Sequence, residues 1–465
     1  MTTRRRLLQT SAALALTACT TSPTRQPAAK PNILFIMADD LGYADLSCYG
    51  RREYTTPESD RLAASGTRFL QGYANSPVCS ATRTALITGR YQYRLSVGLE
   101  EPLQGARDVG LPPDHPTLPG LLREAGYQTA LIGKWHLGRL PKYSPHLSGY
   151  DHFWGFREGS IDYFTHDGFG NRPDLWDGDE PIEMSGYLTE LLGDRTVQMM
   201  DEMAKSDKPF FMSLHFNAPH WPWEGPEDQA EAERLAKIGG TSLIHFDGGS
   251  LETYAEIVKS MDAQIGRVLA RLDALDIADN TIVIFTSDNG GERFSDTWPF
   301  TGKKIELLEG GIRVPLIVRW PGVSRPGSIS DQTAMSMDFM PTLVAAGGAA
   351  PHPGHPMDGI DLRNAIAGTA PASRKLYFRY LHLAQQAHRD GDWKYLKIAE
   401  NTFLFNVADD PLERTNLKER YPEKYAAMAA AYEAWNATML SLDPDAQTHG
   451  YPGSWLADHF SSPEH

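Results

Sequence analysis

Acidic and amide side chains follow two apolar runs that lie far apart in the 465-residue chain. Asp39 and Asp40 come directly after the first run, and Asp288 and Asn289 come directly after the second. Three carboxylates and an amide oxygen, if they meet, form the hard oxygen ligand set that Ca²⁺ or Mg²⁺ prefers. Taken singly, the first pair is more typical of a helix cap, and the second of a turn, than of a metal site, so the metal hypothesis depends on their meeting.

Basic and imidazole side chains follow two further apolar segments. Lys134 and His136 come at the end of one, and an extended backbone would project both to the same side because side chains alternate along a strand. His220 follows residues 210–216, on a loop rich in proline and tryptophan. A lone histidine in such a loop is often structural, and that alternative stays open here.

The elements that must position these residues are strands buried on both faces. Residues 33–38, 129–133 and 281–286 are unbroken apolar runs, which are typical of a parallel sheet covered by helices. Residues 187–203 and 252–276 repeat apolar side chains at helical spacing and are predicted to cover that sheet. Open α/β sheets bind ligands beyond the carboxyl ends of their strands, where all the candidate side chains fall.

The first thirty residues have the pattern of an export signal. Arg4, Arg5 and Arg6 precede a short apolar stretch that is too short to span a bilayer, as in a twin-arginine signal. Cys19 ends a lipobox-like Leu-Thr-Ala-Cys and is predicted to be lipidated; the alternative is an ordinary cleaved leader with an incidental cysteine. We expect residues 1–18 to be a signal peptide and residues 19–30 a polar tether. The predicted location is the periplasm or cell surface, with the membrane contacted only through the lipid.

Composition excludes several classes of function. The chain has 59 Asp and Glu against 44 Lys and Arg, a net charge of −15 that becomes −18 if the three arginines of the leader are removed. This acidic balance argues against nucleic-acid binding, which requires a basic face. An anionic substrate therefore needs a locally positive pocket. Besides Cys19 only Cys48 and Cys79 are present, and a bridge between them is possible in an oxidising compartment.

Four short motifs give the chain a family resemblance. Residues 79–83 read Cys-Ser-Ala-Thr-Arg, and residues 86–90 read Leu-Ile-Thr-Gly-Arg; Gly-Lys-Trp-His-Leu-Gly follows at 133–138 and Glu-Gly-Gly-Ile-Arg-Val-Pro at 309–315. In this order they resemble the formylglycine-dependent (type I) sulfatases of the alkaline-phosphatase superfamily. The resemblance runs from about residue 31 to the C-terminal end. It implies an α/β fold, with a large mixed, mainly parallel sheet flanked by helices and a smaller C-terminal α+β domain on an antiparallel sheet.

The resemblance also implies a modified nucleophile. Cys79 would be oxidised to formylglycine by a maturation enzyme, and the hydrated aldehyde would attack sulfur with one hydroxyl and later expel sulfate with the other. The third position of the motif is Ala81, where the family usually has proline. Modification would consume Cys79 and leave Cys48 without a partner.

Roles of individual side chains follow from the matched motifs. The implied ligands of Ca²⁺, with Mg²⁺ as the alternative, are Asp39, Asp40, Asp288, Asn289 and the modified residue 79. The implied groups around the sulfate are Arg83, which holds the formylglycine hydrate, with Lys134 and Lys304, which bind sulfate. His136 matches the base that deprotonates the spare hydroxyl, and His220 matches the acid that protonates the leaving alcohol.

The catalytic domain is predicted to span residues 31–370 and the C-terminal domain residues 371–465. Short apolar segments of the latter read as strands, at 376–380, 392–397 and 402–406, and a helix is predicted at 422–439. Residues 382–388 lie between two of the strands, either over the pocket or in an exposed loop.

The expected substrate is a sulfate monoester, with an exo-acting sulfatase of sulfated carbohydrates preferred because the chain is predicted to be exported and anchored. His166, Asp167 and Trp221 are the candidate substrate contacts, and packing of a rigid loop is the alternative for Trp221. Aryl sulfatase and phosphonate monoester or phosphodiester hydrolase are the alternative activities. A non-catalytic glycan-binding lipoprotein is a further alternative, against which the matched histidines His136 and His220 argue.

Overall fold

The computed structural model describes residues 30–105, 107–369, 371–451 and 456–457. The predicted signal peptide, the lipidated Cys19 and the predicted tether as far as residue 29 lie outside these described residues. Within the described ranges, no helix has the length and apolar character that crossing a bilayer requires.

The structure alternates strands and helices along most of the chain. In chain order, the strands among the described residues are β1 (Asn32–Ala38), β2 (Thr67–Phe69), β3 (Gly72–Tyr73), β4 (Gln128–Lys134), β5 (His152–Phe156), β6 (Asp167–Gly168), β7 (Arg172–Pro173), β8 (Trp176–Asp177), β9 (Glu180–Pro181), β10 (Phe210–His215), β11 (Thr281–Ser287), β12 (Leu316–Arg319), β13 (Ser328–Ser330), β14 (Ala334–Met335), β15 (Lys375–Tyr380), β16 (Gln385–Asp390), β17 (Trp393–Ile398) and β18 (Asn401–Asn406). The α-helices there are α1 (Pro57–Ser65), α2 (Cys79–Thr88), α3 (Leu118–Glu124), α4 (Leu188–Met203), α5 (Gln229–Ile238), α6 (Leu251–Ala274), α7 (Glu309–Ile312), α8 (Phe339–Ala346), α9 (Arg363–Ile366) and α10 (Pro422–Asn436).

A ten-stranded mixed sheet forms the centre of the fold, in the order β13-β2-β12-β11-β1-β10-β4-β5-β8-β9. Its five middle strands, β11, β1, β10, β4 and β5, are all parallel. Every residue of β1, β10 and β11 is buried, which explains why their sequences are apolar throughout rather than alternating. The carboxyl ends of four neighbouring strands therefore lie along one edge.

Helices cover both faces of this sheet. On one face α1, α4 and α6 pack through side chains such as Leu192, Met200 and Ile257 onto Leu34. On the other face α2, α3 and α8 form a second core. Both helices predicted from periodicity are present as α4 and α6, and each predicted boundary lies within two residues of the observed one.

A four-stranded antiparallel sheet, in the order β15-β16-β17-β18, follows the central domain. The helix α10 packs on one of its faces through Met428 and Tyr432, while the opposite face packs against α2. The predicted fold class, a mainly parallel α/β sheet with a small antiparallel C-terminal sheet, is thus confirmed. Two details were wrong: the last helix ends at Asn436 rather than at residue 439, and residues 385–390 form a strand instead of lying between strands.

Candidate active site

Four adjacent parallel strands deliver the candidate residues to one edge of the central sheet. β1 is followed by Asp39 and Asp40, and β11 by Asp288 and Asn289. Lys134 ends β4, and His220 lies beyond β10 in the loop that follows it. Because neighbouring strands run in the same direction, residues separated by up to 250 positions meet at one place.

The acidic residues form a single buried cluster. The Asp40 backbone N–H donates to Asp288 Oδ1 at 3.2 Å, and Asn289 Nδ2 donates to Asp40 Oδ1 at 2.7 Å. Asp39 and Asp288 also form, with Cys79, a group whose ligand atoms all lie within 4.8 Å of one another. The acidic pairs therefore meet in space, as the metal hypothesis required.

Two oxygens of this cluster have no hydrogen-bond partner among the described residues. They are Asp39 Oδ1 and Asn289 Oδ1, and both are fully buried. A buried oxygen without a partner costs about 1–3 kcal/mol, so such atoms are kept where they serve a ligand. A hard divalent cation would satisfy both atoms, and carboxylate and amide oxygens are the donors it prefers. The residues present thus fit a Ca²⁺ or Mg²⁺ site.

The charges of the cluster perturb each other strongly. Burial, followed by repulsion from Asp288, raises the pKa of Asp39 well above its usual value. Burial alone would also raise the pKa of Asp288, but the adjacent Arg83 guanidinium lowers it below the usual range. Arg83 Nε and Nη2 donate to Asp288 Oδ2 at 3.0 and 2.8 Å. The Asp288 carboxylate is therefore held ionised. The ionised form of Asp39 is the one that an added positive charge would stabilise most.

Cys79 is the first residue of α2, and its side chain lies at the base of the site. Arg83 follows one turn later on the same helix, which places both side chains on one face. Burial raises the pKa of the Cys79 thiol, although the nearby Lys134 and Lys304 oppose this effect. Cys48 and Cys79 are both free cysteines, so the bridge considered from sequence is not formed. An unmodified Cys79 is consequently a protonated, weakly nucleophilic thiol.

Two buried lysines face the carboxylates. Lys134 Nζ donates to Asp39 Oδ2 at 2.6 Å, and Lys304 Nζ donates to Asp40 Oδ2 at 2.7 Å. Burial alone would lower the pKa of Lys304, but the Asp40 carboxylate outweighs it and raises that pKa well above the usual value. Lys304 is therefore fully charged, and the site holds a fixed cation on either side of Cys79.

Each of the two catalytic histidine candidates has one ring nitrogen bound to the backbone. His136 Nε2 lies 2.7 Å from the carbonyl of Leu103, and its Nδ1 has no partner among the described residues. His220 Nδ1 lies 2.7 Å from the carbonyl of Trp221, and its Nε2 is 3.5 Å from Asp40 Oδ2. Because a carbonyl only accepts, the bound nitrogen carries the proton, and burial lowers the pKa of both imidazoles. His136 thus offers a free lone pair at Nδ1.

A cavity of about 380 Å³ opens above these groups. Its lining includes Cys79, His136, His220, Lys304 and Trp221, so one of the three substrate contacts expected from sequence borders it. The other two do not line it within the described part of the chain. Instead His166 is buried with Nε2 on the Gly186 carbonyl, and Asp167 pairs with Pro173 in the β6–β7 hairpin. Both residues are therefore placed by contacts within their own segment and not by the cavity.

Other residues of the cavity wall were not found from sequence. Arg139, Arg157, Arg172 and the C-terminal pair His449 and Tyr451 all line it. They come from separate loops, and no spacing in the sequence links them to Cys79.

The loop that carries Lys304 is fixed from three sides. Lys304 N–H donates to the Gly291 carbonyl, and Ile305 N–H donates to the Pro77 carbonyl, both at 2.9 Å. From the C-terminal sheet, Gln385 Nε2 donates to the Ile305 carbonyl at 2.9 Å. Ile305 has φ = 73°, a left-handed conformation that is unfavourable for a β-branched residue. These contacts hold a strained backbone next to the Lys304 ammonium group.

Comparison with known proteins identifies the family. The Sulfatase family model matches residues 31–349, more than half of the chain. The chain belongs to the sulfatase family. A second model, described as the C-terminal part of N-sulphoglucosamine sulphohydrolase, matches residues 298–433 of this sulfatase. Membership makes the chain a sulfuric ester hydrolase of the alkaline-phosphatase superfamily, as the motifs predicted.

Individual relatives agree with this assignment. N-acetylgalactosamine-6-sulfatase of Canis lupus familiaris is 32% identical over 75% of this sulfatase and 68% of the relative. Arylsulfatase A of Homo sapiens is 30% identical over 75% and 70%, respectively. The crystal structure of Ps i-CgsB in complex with k-i-k-neocarrahexaose is 29% identical and superposes with a TM-score of 0.81, covering 90% of this chain and 95% of that one. The fold and the family thus agree over nearly the whole described chain.

Proposed function

We propose that this sulfatase is an exo-acting carbohydrate sulfatase that hydrolyses sulfate monoesters with a formylglycine at position 79 and a calcium ion. The observation that carries the proposal is the buried carboxylate cluster beside Cys79, together with a cavity of about 380 Å³ that is lined by Cys79 itself and by Trp221. Two relatives support the substrate class by name, since one is an N-acetylgalactosamine-6-sulfatase and another was solved with a neocarrahexaose.

Within this proposal, Asp39, Asp40, Asp288 and Asn289 would hold the cation together with residue 79. When present, the cation withdraws charge from the sulfate oxygens, and the hydrated formylglycine provides the attacking hydroxyl. The orphan oxygens of Asp39 and Asn289 support the fit. The thiol of an unmodified Cys79, with its raised pKa, offers no comparable nucleophile.

The cationic side chains would bind and orient the sulfate group. Lys304 lines the cavity, while Lys134, paired with Asp39, and Arg83, paired with Asp288, are buried cations close to Cys79. Negative charge that develops on the ester oxygens is stabilised by groups already held in position, so little reorganisation is needed. Because each of these three cations is paired with a carboxylate, the base of the site becomes locally positive only when the divalent cation is bound. The bound cation would thus resolve the conflict between an anionic substrate and a chain of net charge −15.

The histidines would move protons at two defined atoms. His136 Nδ1 has the free lone pair that accepts the proton of the spare hydroxyl when sulfate is released. His220 would donate from Nε2 to the leaving alcohol oxygen, and because Nδ1–H is used by Trp221, that donation requires the imidazolium. A bound sulfate ester brings negative charge that favours the protonated form of His220.

Mass spectrometry of the peptide that contains residue 79 tests the modification directly. The proposal expects formylglycine in the active enzyme, and an intact thiol in fully active enzyme would refute it. Release of sulfate from a panel of defined sulfated saccharides then tests the substrate class, with Cys79→Ala as the inactive control. Faster turnover of phenyl phosphonate than of any sulfate ester would assign the chain to phosphonate hydrolysis instead.

We also propose that the protein is exported and anchored through a lipid on Cys19, outside the described residues. The Arg-rich leader and the Leu-Thr-Ala-Cys sequence support this location. Partitioning between membrane and soluble fractions tests it. Cys19→Ser should shift the protein to the soluble fraction, whereas unchanged partitioning would disprove the anchor.

A further inference from the structure

Among the described residues, three arginines and one acidic residue line the cavity above the proposed catalytic groups. Arg139, Arg157 and Arg172 and the acidic Glu158 all border the same space as Cys79 and Lys304. This excess of positive charge lies on the wall of the cavity, separate from the lysines that pair with the metal-site carboxylates. The chain as a whole is acidic, so a concentration of arginine in one cavity calls for an anionic ligand.

Two of these arginines already form ion pairs with acidic residues of the protein. Arg157 Nε lies 3.1 Å from Asp174 Oδ1, and its guanidinium stacks over the Trp176 ring at 4.9 Å. Arg172 lies 3.6 Å from Glu158 and is mostly exposed. They contribute to the positive potential of the wall, but their charges have partners within the protein.

Arg139 differs, because it forms no ion pair with any residue in the described ranges. It belongs to the loop that also carries His136, and its carbonyl accepts a hydrogen bond from the Tyr143 N–H at 2.9 Å. Its guanidinium lies directly on Gly105, where an added Cβ would be 3.0 Å from Arg139 Nε. Gly105 therefore leaves space for the guanidinium to lie flat beside the cavity. Arg139 is exposed, so it presents a planar guanidinium donor at the cavity wall that has no anionic partner among the described residues.

We propose that Arg139 binds a second anionic group on the saccharide, next to the ester that is cleaved. The group is a carboxylate or a second sulfate, because both accept paired hydrogen bonds from the planar guanidinium. This subsite rests on the proposed function and deepens it: the substrates are multiply anionic saccharides, not singly sulfated neutral sugars or aryl sulfates. Arg157 and Arg172 add long-range attraction without direct pairing.

Calorimetry on the unreactive Cys79→Ala protein tests the subsite without requiring turnover. The probes are inorganic sulfate and three sets of galactosamine disaccharides sulfated at position 4 or 6: singly sulfated, doubly sulfated, and singly sulfated with a uronate neighbour. Arg139→Ala removes at least one charge-assisted hydrogen bond to the second anionic group. We therefore expect it to weaken binding of the doubly sulfated or the uronate probes by about ten-fold or more. Whichever set responds identifies the anionic group, while inorganic sulfate and the singly sulfated probes should be unaffected.

Lys142→Ala is the matched control, since Lys142 lies three residues further along, is exposed, and pairs with Asp108 at 2.6 Å. It should leave every affinity unchanged. The subsite is refuted if both doubly anionic sets bind Arg139→Ala within two-fold of the Cys79→Ala parent, or bind the parent no more tightly than the singly sulfated set. Failure of the proposed function is distinguishable, because then the unmutated enzyme would release no sulfate from any saccharide.

Discussion

Replacing Gln385 with alanine is expected to reduce turnover, although Gln385 lies in the C-terminal sheet and does not line the cavity among the described residues. Its side chain is buried and joins the two domains: Nε2 donates to the Ile305 carbonyl at 2.9 Å, and Oε1 accepts from the Leu307 N–H at 2.8 Å. These bonds hold the backbone on the C-terminal side of Lys304, where Ile305 is in a strained conformation. Gln385 is thus a positioning residue for the Lys304 ammonium.

The magnitude follows from the groups that the substitution leaves without partners. The Ile305 carbonyl and the Leu307 N–H lose their hydrogen bonds, at about 1–3 kcal/mol each, so the free energy of unfolding should fall by about 2–6 kcal/mol. A longer bond from Gln385 Nε2 to the His382 carbonyl, at 3.2 Å, is lost as well. Loss of one preorganised donor from a site of this kind costs about 3–4 kcal/mol of transition-state stabilisation. Partial displacement of Lys304 is therefore expected to lower kcat by about ten-fold, with a smaller change in KM.

Steady-state kinetics at a temperature below the measured Tm of both variants separates this effect from simple destabilisation. Gln386→Ala is the matched control because Gln386 is the next residue and is half-buried, and its side chain accepts a single hydrogen bond among the described residues, from Tyr395 Oη at 3.3 Å. The reasoning is refuted if Gln385→Ala loses stability but keeps kcat within two-fold of this control.

Three further outcomes are expected. Calcium at saturating concentration should raise Tm by about 3 °C or more, EDTA should reverse the shift, and Asp288→Asn should remove it; an equal shift in the variant would exclude this metal site. Lys134→Ala should lower kcat/KM by about 100-fold or more, whereas the exposed Lys142→Ala should leave it unchanged. Burial raises the pKa of Glu101 from 4.5 to about 8. Because the folded state holds that proton more tightly, the stabilisation is complete below pH 4.5 and is lost as pH rises to 8. The free energy of unfolding should therefore fall by up to about 5 kcal/mol over that range, and Glu101→Gln should flatten the slope seen in denaturant titrations.

The central sheet could be predicted because its strands are buried on both faces. Burial on both faces requires continuous apolar sequence, and that signal is visible without any structure, as in residues 33–38 and 281–286. The positions of Asp39 and Asp288 then followed from the rule that strand ends share an edge. The motifs at residues 79–83 and 309–315 supplied the expected roles of Cys79 and Lys304, which the arrangement of strands alone could not assign.

Strand β16 could not be predicted because its buried side chains are polar. Gln385 and Arg389 point into the domain interface, where they hydrogen-bond to the Lys304 loop and to Gln71, so the usual alternation of apolar and polar residues is absent. The cavity wall was missed for a different reason. Arg139 and Tyr451 come from loops more than 300 residues apart, and only the folded chain brings them to one space.

The attachment of the Lys304 loop to the C-terminal sheet has a consequence for how such enzymes diverge. Thr301 Oγ1 donates to the Leu412 carbonyl, and Glu309 N–H donates to Glu413, so this loop and the short helix after it are tied to the small domain near both ends. A substitution in the small domain can therefore shift an ammonium group relative to the ester without altering any atom that touches substrate. Turnover is therefore expected to respond to substitutions in the small domain, and a catalytic domain grafted onto a foreign C-terminal sheet is expected to lose the alignment of Lys304.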